Sequence, residues 1–269
     1  ALWSKSSAPE EVVVVDDGST DETIPWLSAL YGLRFSGERG SSSARPGFSV
    51  LRRPGGGKAR ALNAGWRAAR GEIVVTLDAD TALDPGAILE LRKAFADEPA
   101  LAAGGGVLLP RCGKGAAAGI FEFYQTFEYI RSFFERFAWM SLDMLVLVSG
   151  AFAAFRREHL EAVGGFKPES PVEDYEIIYR LYRHSYDKRL GLKVRVLAGA
   201  RAVTDAPASP WKFLQQRSRW FAGFLDTLHQ NRDLVDNPAY GRFGQVMLPI
   251  KMIDALKPNW LVLRPAEFE

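Results

Sequence analysis

The sequence predicts an α/β fold, a mostly parallel central sheet flanked by helices, with a ligand site at the ends of its strands. Three observations carry this. Two apolar runs, "VVVV" (12–15) and "IVVTL" (73–77), have the composition of strands covered on both faces. Both stop on acid, the first at Asp16–Asp17 and the second at Asp78 and Asp80. Helical patterns alternate with apolar runs through about residue 110, as in a doubly wound sheet, which takes its ligands at the carboxyl ends of its strands.

Taken in order, the first strand is Val12–Val15. Gly18 and Ser19 turn the chain, and "STDE" (19–22) offers a capping box to a following helix. "GERGSSSARPG" (37–47) reads as a flexible loop, and Phe48–Leu51 as a weaker strand. In "ARALNAGWRAAR" (59–70), Leu62, Trp66 and Ala69 recur at helical spacing and turn one face inward. After the Ile73–Leu77 strand, Asp84 and Pro85 look like an N-cap and first helical residue for "PGAILELRKAFADE". Gly106–Leu109 and Val194–Leu197 are further strand candidates. "GIFEFYQTFEYIRSFFERFAWM" (119–140) places Ile120, Phe123, Phe127, Ile130, Phe134 and Phe137 at steps of three or four. That helix is either a core helix or one lying in a membrane interface.

The chain has 269 residues with 34 Lys and Arg against 32 Asp and Glu, a net charge of +2. So even a balance excludes a generally basic nucleic-acid binder. The single cysteine, Cys112, forms no intrachain disulfide, fits a reducing compartment and reads as a packing residue. No signal peptide is visible. The longest apolar stretch, 144–155, falls short of the roughly 20 residues a bilayer span needs. His159, His184 and His229 are scattered and take no role.

The chemistry concentrates in four places. Asp78 and Asp80 end a strand two residues apart, where both carboxylates can reach one divalent ion. Hard oxygen ligands select Mg²⁺ or Mn²⁺, and such an ion implies a phosphate ester. Lys58 follows three glycines at a helix entrance; it is either solvated or close to a diphosphate. Glu173 and Asp174 stand at a probable helix start, which explains them as dipole partners or makes Asp174 a general base. On a helix, Gln216, Arg219 and Trp220 share a face. They form either a core tryptophan with solvated neighbours or a platform for a diphosphate and a stacked sugar.

Together "DDGSTD" (16–21), "DAD" (78–80), "VED" (172–174) and "QRSRW" (216–220) resemble, in order, the motifs of family 2 glycosyltransferases, in their processive, membrane-embedded branch that makes β-linked polysaccharides. The resemblance runs from about Glu11 to Leu228. It implies a GT-A fold whose residues 1–110 bind the nucleotide sugar. Residues 111–230 would hold the acceptor and catalytic groups, and 231–269 would begin a membrane-proximal segment. It implies a UDP-sugar donor, UDP-glucose or UDP-N-acetylglucosamine, and a polysaccharide acceptor. It further implies inversion and a site on the cytoplasmic face of the inner membrane.

By the same resemblance Asp16 and Asp17 contact the uracil end of the donor, Asp78 the ribose and phosphate, and Asp80 the metal. Lys58, Gln216 and Arg219 serve the diphosphate. Asp174 is the base that takes the acceptor's proton. Ser149, Gly150, Glu173 and Trp220 border the acceptor. Val172 departs from the threonine usual before Glu-Asp, at a position that does not titrate. The family's first strand, with its Pro-x-x-Asn-Glu-like end, and its transmembrane helices are missing. The expectation is therefore a fragment with two unpaired strand edges, poorly soluble and inactive alone. Two other readings stand beside this one: a transferase adding a single sugar to a lipid or protein, and a catalytically silent nucleotide- or glycan-sensing subunit. A dinucleotide oxidoreductase is disfavoured because no Gly-x-Gly-x-x-Gly follows the first strand.

Overall fold

The computed structural model describes residues 8–256. The opening segment 1–7 and the end of the C-terminal apolar segment, 257–269, lie outside the described residues. The expected strands and helices are present as β1 (Val12–Asp16), α1 (Thr23–Tyr31), β4 (Phe48–Arg52), α2 (Lys58–Ala68), β5 (Ile73–Leu77) and α3 (Ala87–Asp97). Between α1 and β4 lie β2 (Leu33–Ser36) and β3 (Arg39–Ser42), and β6 (Thr81–Leu83) follows β5. β7 (Leu101–Arg111), α4 (Ala116–Ser141), β8 (Phe152–Arg156) and α5 (Arg157–Ala162) come next. The chain then runs through α6 (Glu173–Asp187), β9 (Lys193–Asp205), α7 (Pro210–Gln230) and α8 (Leu248–Leu256).

The strands form two sheets, ordered β1-β4-β3-β2 and β5-β8-β7-β9-β6. Parallel pairing occurs at β1–β4 and β7–β9, and the other pairings are antiparallel. This corrects the expected mostly parallel, single sheet. Strand composition reports coverage of the two faces, whereas direction is fixed by how each connection crosses the sheet. Among the described residues β1, β2, β5 and β6 each have one hydrogen-bonded neighbour, as the two end strands of any open sheet do. Val12–Val15 are only half-buried, and Val75 is exposed.

Three local readings are also corrected. The 37–47 loop contains β3, which pairs with the edge strand β2 in a hairpin and with β4 on its other side; polar composition masked it because little of this hairpin is buried. α3 starts after Gly86 rather than at Pro85, because Gly86 takes a left-handed φ of 88° and interrupts the helical path. The "STDE" capping box does not form; Asp21 Oδ1 accepts the Thr23 amide at 3.0 Å, and the Ser19 amide is drawn back to Asp16.

α2 stitches the two sheets together. It packs on β1 and turns Asn63 into the interior. Asn63 Nδ2 donates to the Phe166 carbonyl at 2.6 Å, while its Oδ1 accepts from Trp66 Nε1 and the Phe166 amide, both at 2.9 Å. Arg157 closes the other end, donating to the carbonyls of Trp66, Ala69 and Gly71. The main core lies on the second sheet, where Phe152, Phe155, Ile177, Ile178 and Tyr179 are fully buried.

α4 packs on the core through Phe133, Tyr129 and Phe137 but leaves part of its expected apolar stripe uncovered. Phe133 and Gln125 face inward, yet Ile120, Phe123, Phe127, Ile130 and Phe134 form an exposed stripe, with Phe123 79% accessible. The regular spacing marks one apolar face, and sequence does not say whether protein covers it. No helix among the described residues is long and apolar enough to cross a membrane. Cys112 is buried as expected, its Sγ accepting from Gln125 Nε2 at 3.2 Å.

Candidate active site

β1 delivers Asp16 and Asp17 to the start of the site. Asp16 is buried and accepts the Ser19 amide through Oδ1 at 3.1 Å, which closes the turn. Asp17 grips the glycine loop ahead of α2: Oδ1 accepts from the Gly56 amide at 3.0 Å and Oδ2 from the Gly57 amide at 2.7 Å. Gly18 sits at φ 90°, and a Cβ there would lie 2.8 Å from the Gly55 nitrogen. This close approach is why the turn needs glycine.

Lys58 opens α2 and is the hub. Its Nζ lies 2.7 and 2.9 Å from the two Asp78 oxygens and 3.4 Å from Glu173 Oε1. Burial disfavours the ammonium charge, but Asp78, Glu173 and Asp174 outweigh it and hold Lys58 above its ordinary value. Burial likewise lifts Asp78, with Asp80 and Glu173 adding to the rise and Lys58 opposing it. Glu173 is raised by burial and by Asp174, again against Lys58. Removing the ammonium therefore raises both carboxyl pKa values further. A Lys58→Met variant is expected to shift the acid limb of the pH–rate profile upward; a profile coincident with wild type would contradict this electrostatic role.

Asp174, in the first turn of α6, is fixed from the other side. Its Oδ2 accepts the Gly150 amide at 2.7 Å, and a Cβ on Gly150 would stand 3.0 Å from Asp174 Cβ and Oδ2. Ser149 adjoins this contact, and its carbonyl accepts the Phe152 amide at 3.1 Å. Asp80 is exposed; its Oδ1 meets the hydroxyls of Thr81 and Thr204 at 3.3 and 3.4 Å.

Lys58, Asp78, Glu173, Asp174 and Gly150 thus form one contact network, with Asp17 joined through the glycine loop and Asp80 beside Asp78. The α7 residues approach differently. Gly223 leaves no room for a Cβ against Val172, which would lie 2.5 Å away, so α7 presses directly on the residue before Glu173. Phe224 meets Tyr175 ring to ring at 5.6 Å. One turn earlier come Arg219 and Trp220, both exposed; neither touches the acidic cluster directly. Trp220 is stacked by Arg217, at 4.3 Å, rather than by Arg219. Gln216 Oε1 accepts from Arg217 at 2.9 Å, and Arg217 is ion-paired to Glu128 of α4. Among the described residues Arg219 has no ion pair.

Sequence reasoning missed Arg217, Thr204 and Arg136. Arg136, on α4, lies over the Phe133 ring at 4.9 Å and has no ion pair among the described residues. Burial depresses its pKa, and Asp174, Tyr129 and Glu135 act against the fall. Arg217 lies inside "QRSRW" but at a position the helical-face reading passed over, while Thr204 and Arg136 lie outside every motif; the packing of α4, α7 and β9 brings them near.

A sheet with acidic strand ends, a helix-start lysine and a main-chain-anchored aspartate is the site of a GT-A fold. Residues 3–164 match the model of glycosyl transferase family 2, and the chain belongs to that family, whose enzymes are inverting. It is 28% identical over 221 residues to a poly-β-1,6-N-acetyl-D-glucosamine synthase of Staphylococcus epidermidis, covering 81% of this chain and 48% of that protein. It is also 28% identical to the β-monoglucosyldiacylglycerol synthase of Synechocystis, covering 79% and 41%. The chain thus spans about half the length of these relatives, or less. A mannosyltransferase from Pyrobaculum calidifontis, solved with GDP-mannose and Mn²⁺, superposes with a TM-score of 0.60 at 22% identity. That match covers 94% of this chain and 64% of the mannosyltransferase, and it shows the shared fold.

Proposed function

We propose that this chain is the catalytic unit of an inverting glycosyltransferase that extends a β-linked polysaccharide from a UDP-sugar, UDP-glucose or UDP-N-acetylglucosamine. The observation that carries this is Asp174: a carboxylate anchored by the Gly150 amide and placed beside the Lys58–Asp78–Glu173 network. In the proposed reaction Asp174 takes the proton from the acceptor hydroxyl. The acceptor oxygen forms its bond to the anomeric carbon while the bond from that carbon to the phosphate oxygen breaks. UDP departs with the bonding pair, and Arg219 and Lys58 stabilise its charge. Asp16 and Asp17 hold the uracil side, Gln216 supports the diphosphate region, and Trp220 stacks on the acceptor end with Ser149, Gly150 and Glu173 along its path.

Asp80 would hold a divalent cation, Mg²⁺ or Mn²⁺. No group of three ligating side chains converges among the described residues. Asp80 engages only threonine hydroxyls, while both Asp78 oxygens are taken by Lys58. A single available carboxylate suits an ion completed by donor phosphates and water. When bound, that ion would supply charge neutralisation at the diphosphate.

Membranes containing the gene's full product, given a panel of labelled UDP-sugars, test this reading. It expects long polymer from one UDP-hexose; the absence of transfer from every UDP-sugar would refute it. The likeness to the glucolipid synthase favours a second reading, a single sugar added to lipid, which would yield one labelled glycolipid in place of polymer.

We further propose that the unit works at the cytoplasmic face of the inner membrane. The α4 stripe and the exposed Trp211, Trp220, Ile253 and Met252 support a surface lying on lipid. The triple substitution Phe123→Ser, Phe127→Ser and Phe134→Ser is expected to lower flotation with liposomes at least several-fold. Unchanged flotation would count against lipid contact by this stripe.

A further inference from the structure

A cavity away from the acidic network is lined on one side by α2 and on the other by the turn between α5 and α6. It has a volume of about 830 Å³, which lies in the range of small-ligand sites, roughly 300–1,000 Å³. Its charged lining is entirely basic: Arg53, Arg60, Arg67, Lys167 and Arg180. Such a gathering of like charge is costly unless something neutralises it.

The internal partners do not. Glu176, buried beneath the cavity, is held by Arg180 at 2.6 Å and Lys167 at 2.9 Å, so one carboxylate serves two cations. Arg53 has only a loose pair, 3.9 Å, with the well-exposed Glu38. Arg67 reaches its own helix, at the Asn63 carbonyl 3.4 Å away, and lies over the Trp66 ring at 4.8 Å. Arg60 has no acidic partner among the described residues. Arg60 and Arg67 are two helical turns apart, with the small side chain of Ala64 between them on the same face.

The wall opposite is held rigidly. Gly165 takes φ 79°, and a Cβ there would lie 2.4 Å from Asn63 Oδ1 and 2.8 Å from Trp66 Nε1. The turn is therefore clamped on α2, and the Arg180 guanidinium is pinned by the Val163 and Gly165 carbonyls. Planar guanidinium groups around a preformed space match phosphate oxygens, which they bind in forked pairs. Lys58 does not line this cavity; Asp78 and Glu173 engage it elsewhere.

We infer that the groove between α2 and the α5–α6 turn is a second, phosphate-binding site, distinct from the acidic site and built for a ligand carrying more than one phosphate charge. Such a ligand is either a soluble polyphosphate-type anion or the headgroup of an anionic phospholipid. The inference does not depend on the transfer reaction.

The test uses the gene's full product in detergent, in a Lys58→Met background that removes the donor-side ammonium. Inorganic pyrophosphate binding is measured by calorimetry. Separately, binding to phosphatidylglycerol vesicles is measured against phosphatidylcholine vesicles. Adding Arg60→Glu and Arg67→Glu is expected to weaken binding by about tenfold or more, the equivalent of losing one charge-assisted contact. Neither arginine is ion-paired among the described residues, so the fold should survive reversal, which a thermal melt checks; Arg60→Lys with Arg67→Lys should restore much of the binding. Loss confined to pyrophosphate identifies a soluble ligand, and loss confined to phosphatidylglycerol a lipid headgroup. Equal binding before and after charge reversal in both arms, or no binding in either, overturns the proposal.

Discussion

Replacing Asp174 with asparagine is expected to lower kcat for sugar transfer by about 10²–10⁴-fold, the usual contribution of a positioned general base. The substitution is nearly isosteric. An amide oxygen can still accept the Gly150 N–H, which now meets Asp174 Oδ2 at 2.7 Å, so local geometry should persist. What disappears is a group able to take the acceptor proton. On the proposed reading UDP binding should stay close to wild type, because there the nucleotide side is assigned to Asp16, Asp17 and the glycine loop they hold. Steady-state transfer and UDP affinity, measured on the same membranes, separate the two. A variant that still transfers sugar at a tenth of the wild-type rate or better would remove Asp174 from the chemistry. A variant that loses UDP binding as well would place it in donor recognition instead.

The largest expected effect on stability comes from Arg180→Met. Glu176 is 1% exposed, and Arg180 meets it through three hydrogen bonds of 2.6–2.9 Å while also donating to the Val163 and Gly165 carbonyls. Removing the guanidinium leaves a buried carboxylate with only Lys167, whose side chain is largely solvated. Breaking a buried pair from one side typically costs about 3–5 kcal/mol. Two carbonyl acceptors lose their donor at the same time. The double variant Glu176→Met with Arg180→Met removes both charges and should recover much of that loss, since desolvation offsets most of the attraction in a buried pair. Chemical denaturation of the wild type and the two variants tests this. A single variant as stable as wild type, or a double variant worse than the single one, would show that the pair is not what holds the α5–α6 turn.

Much of the site was legible because its chemistry is written in local runs. A strand that stops on acid must place that acid at its own end, so Asp16, Asp17, Asp78 and Asp80 needed only the position of β1 and β5. Lys58 at a helix entrance and Glu173–Asp174 at a helix start were equally local statements. The partner of each was not. Nothing in the sequence ties Lys58 to both Asp78 and Glu173, Asp17 to the amides of Gly56 and Gly57, or Trp220 to Arg217 rather than Arg219. Those contacts join residues far apart in the chain, or depend on which rotamer a neighbouring helix permits.

The sequence by itself determined the α/β alternation, the acidic strand ends, the helix-start cation and the helix-start acidic pair, and an aromatic stripe at helical spacing, because each follows from periodicity and residue chemistry within one segment. Only the tertiary structure decided that the strands divide into two sheets with few parallel pairs, that the α4 stripe faces outward, and that five cations meet around one cavity. Strand direction, coverage of an apolar face and convergence of charge are properties of how segments pack. No segment carries them alone.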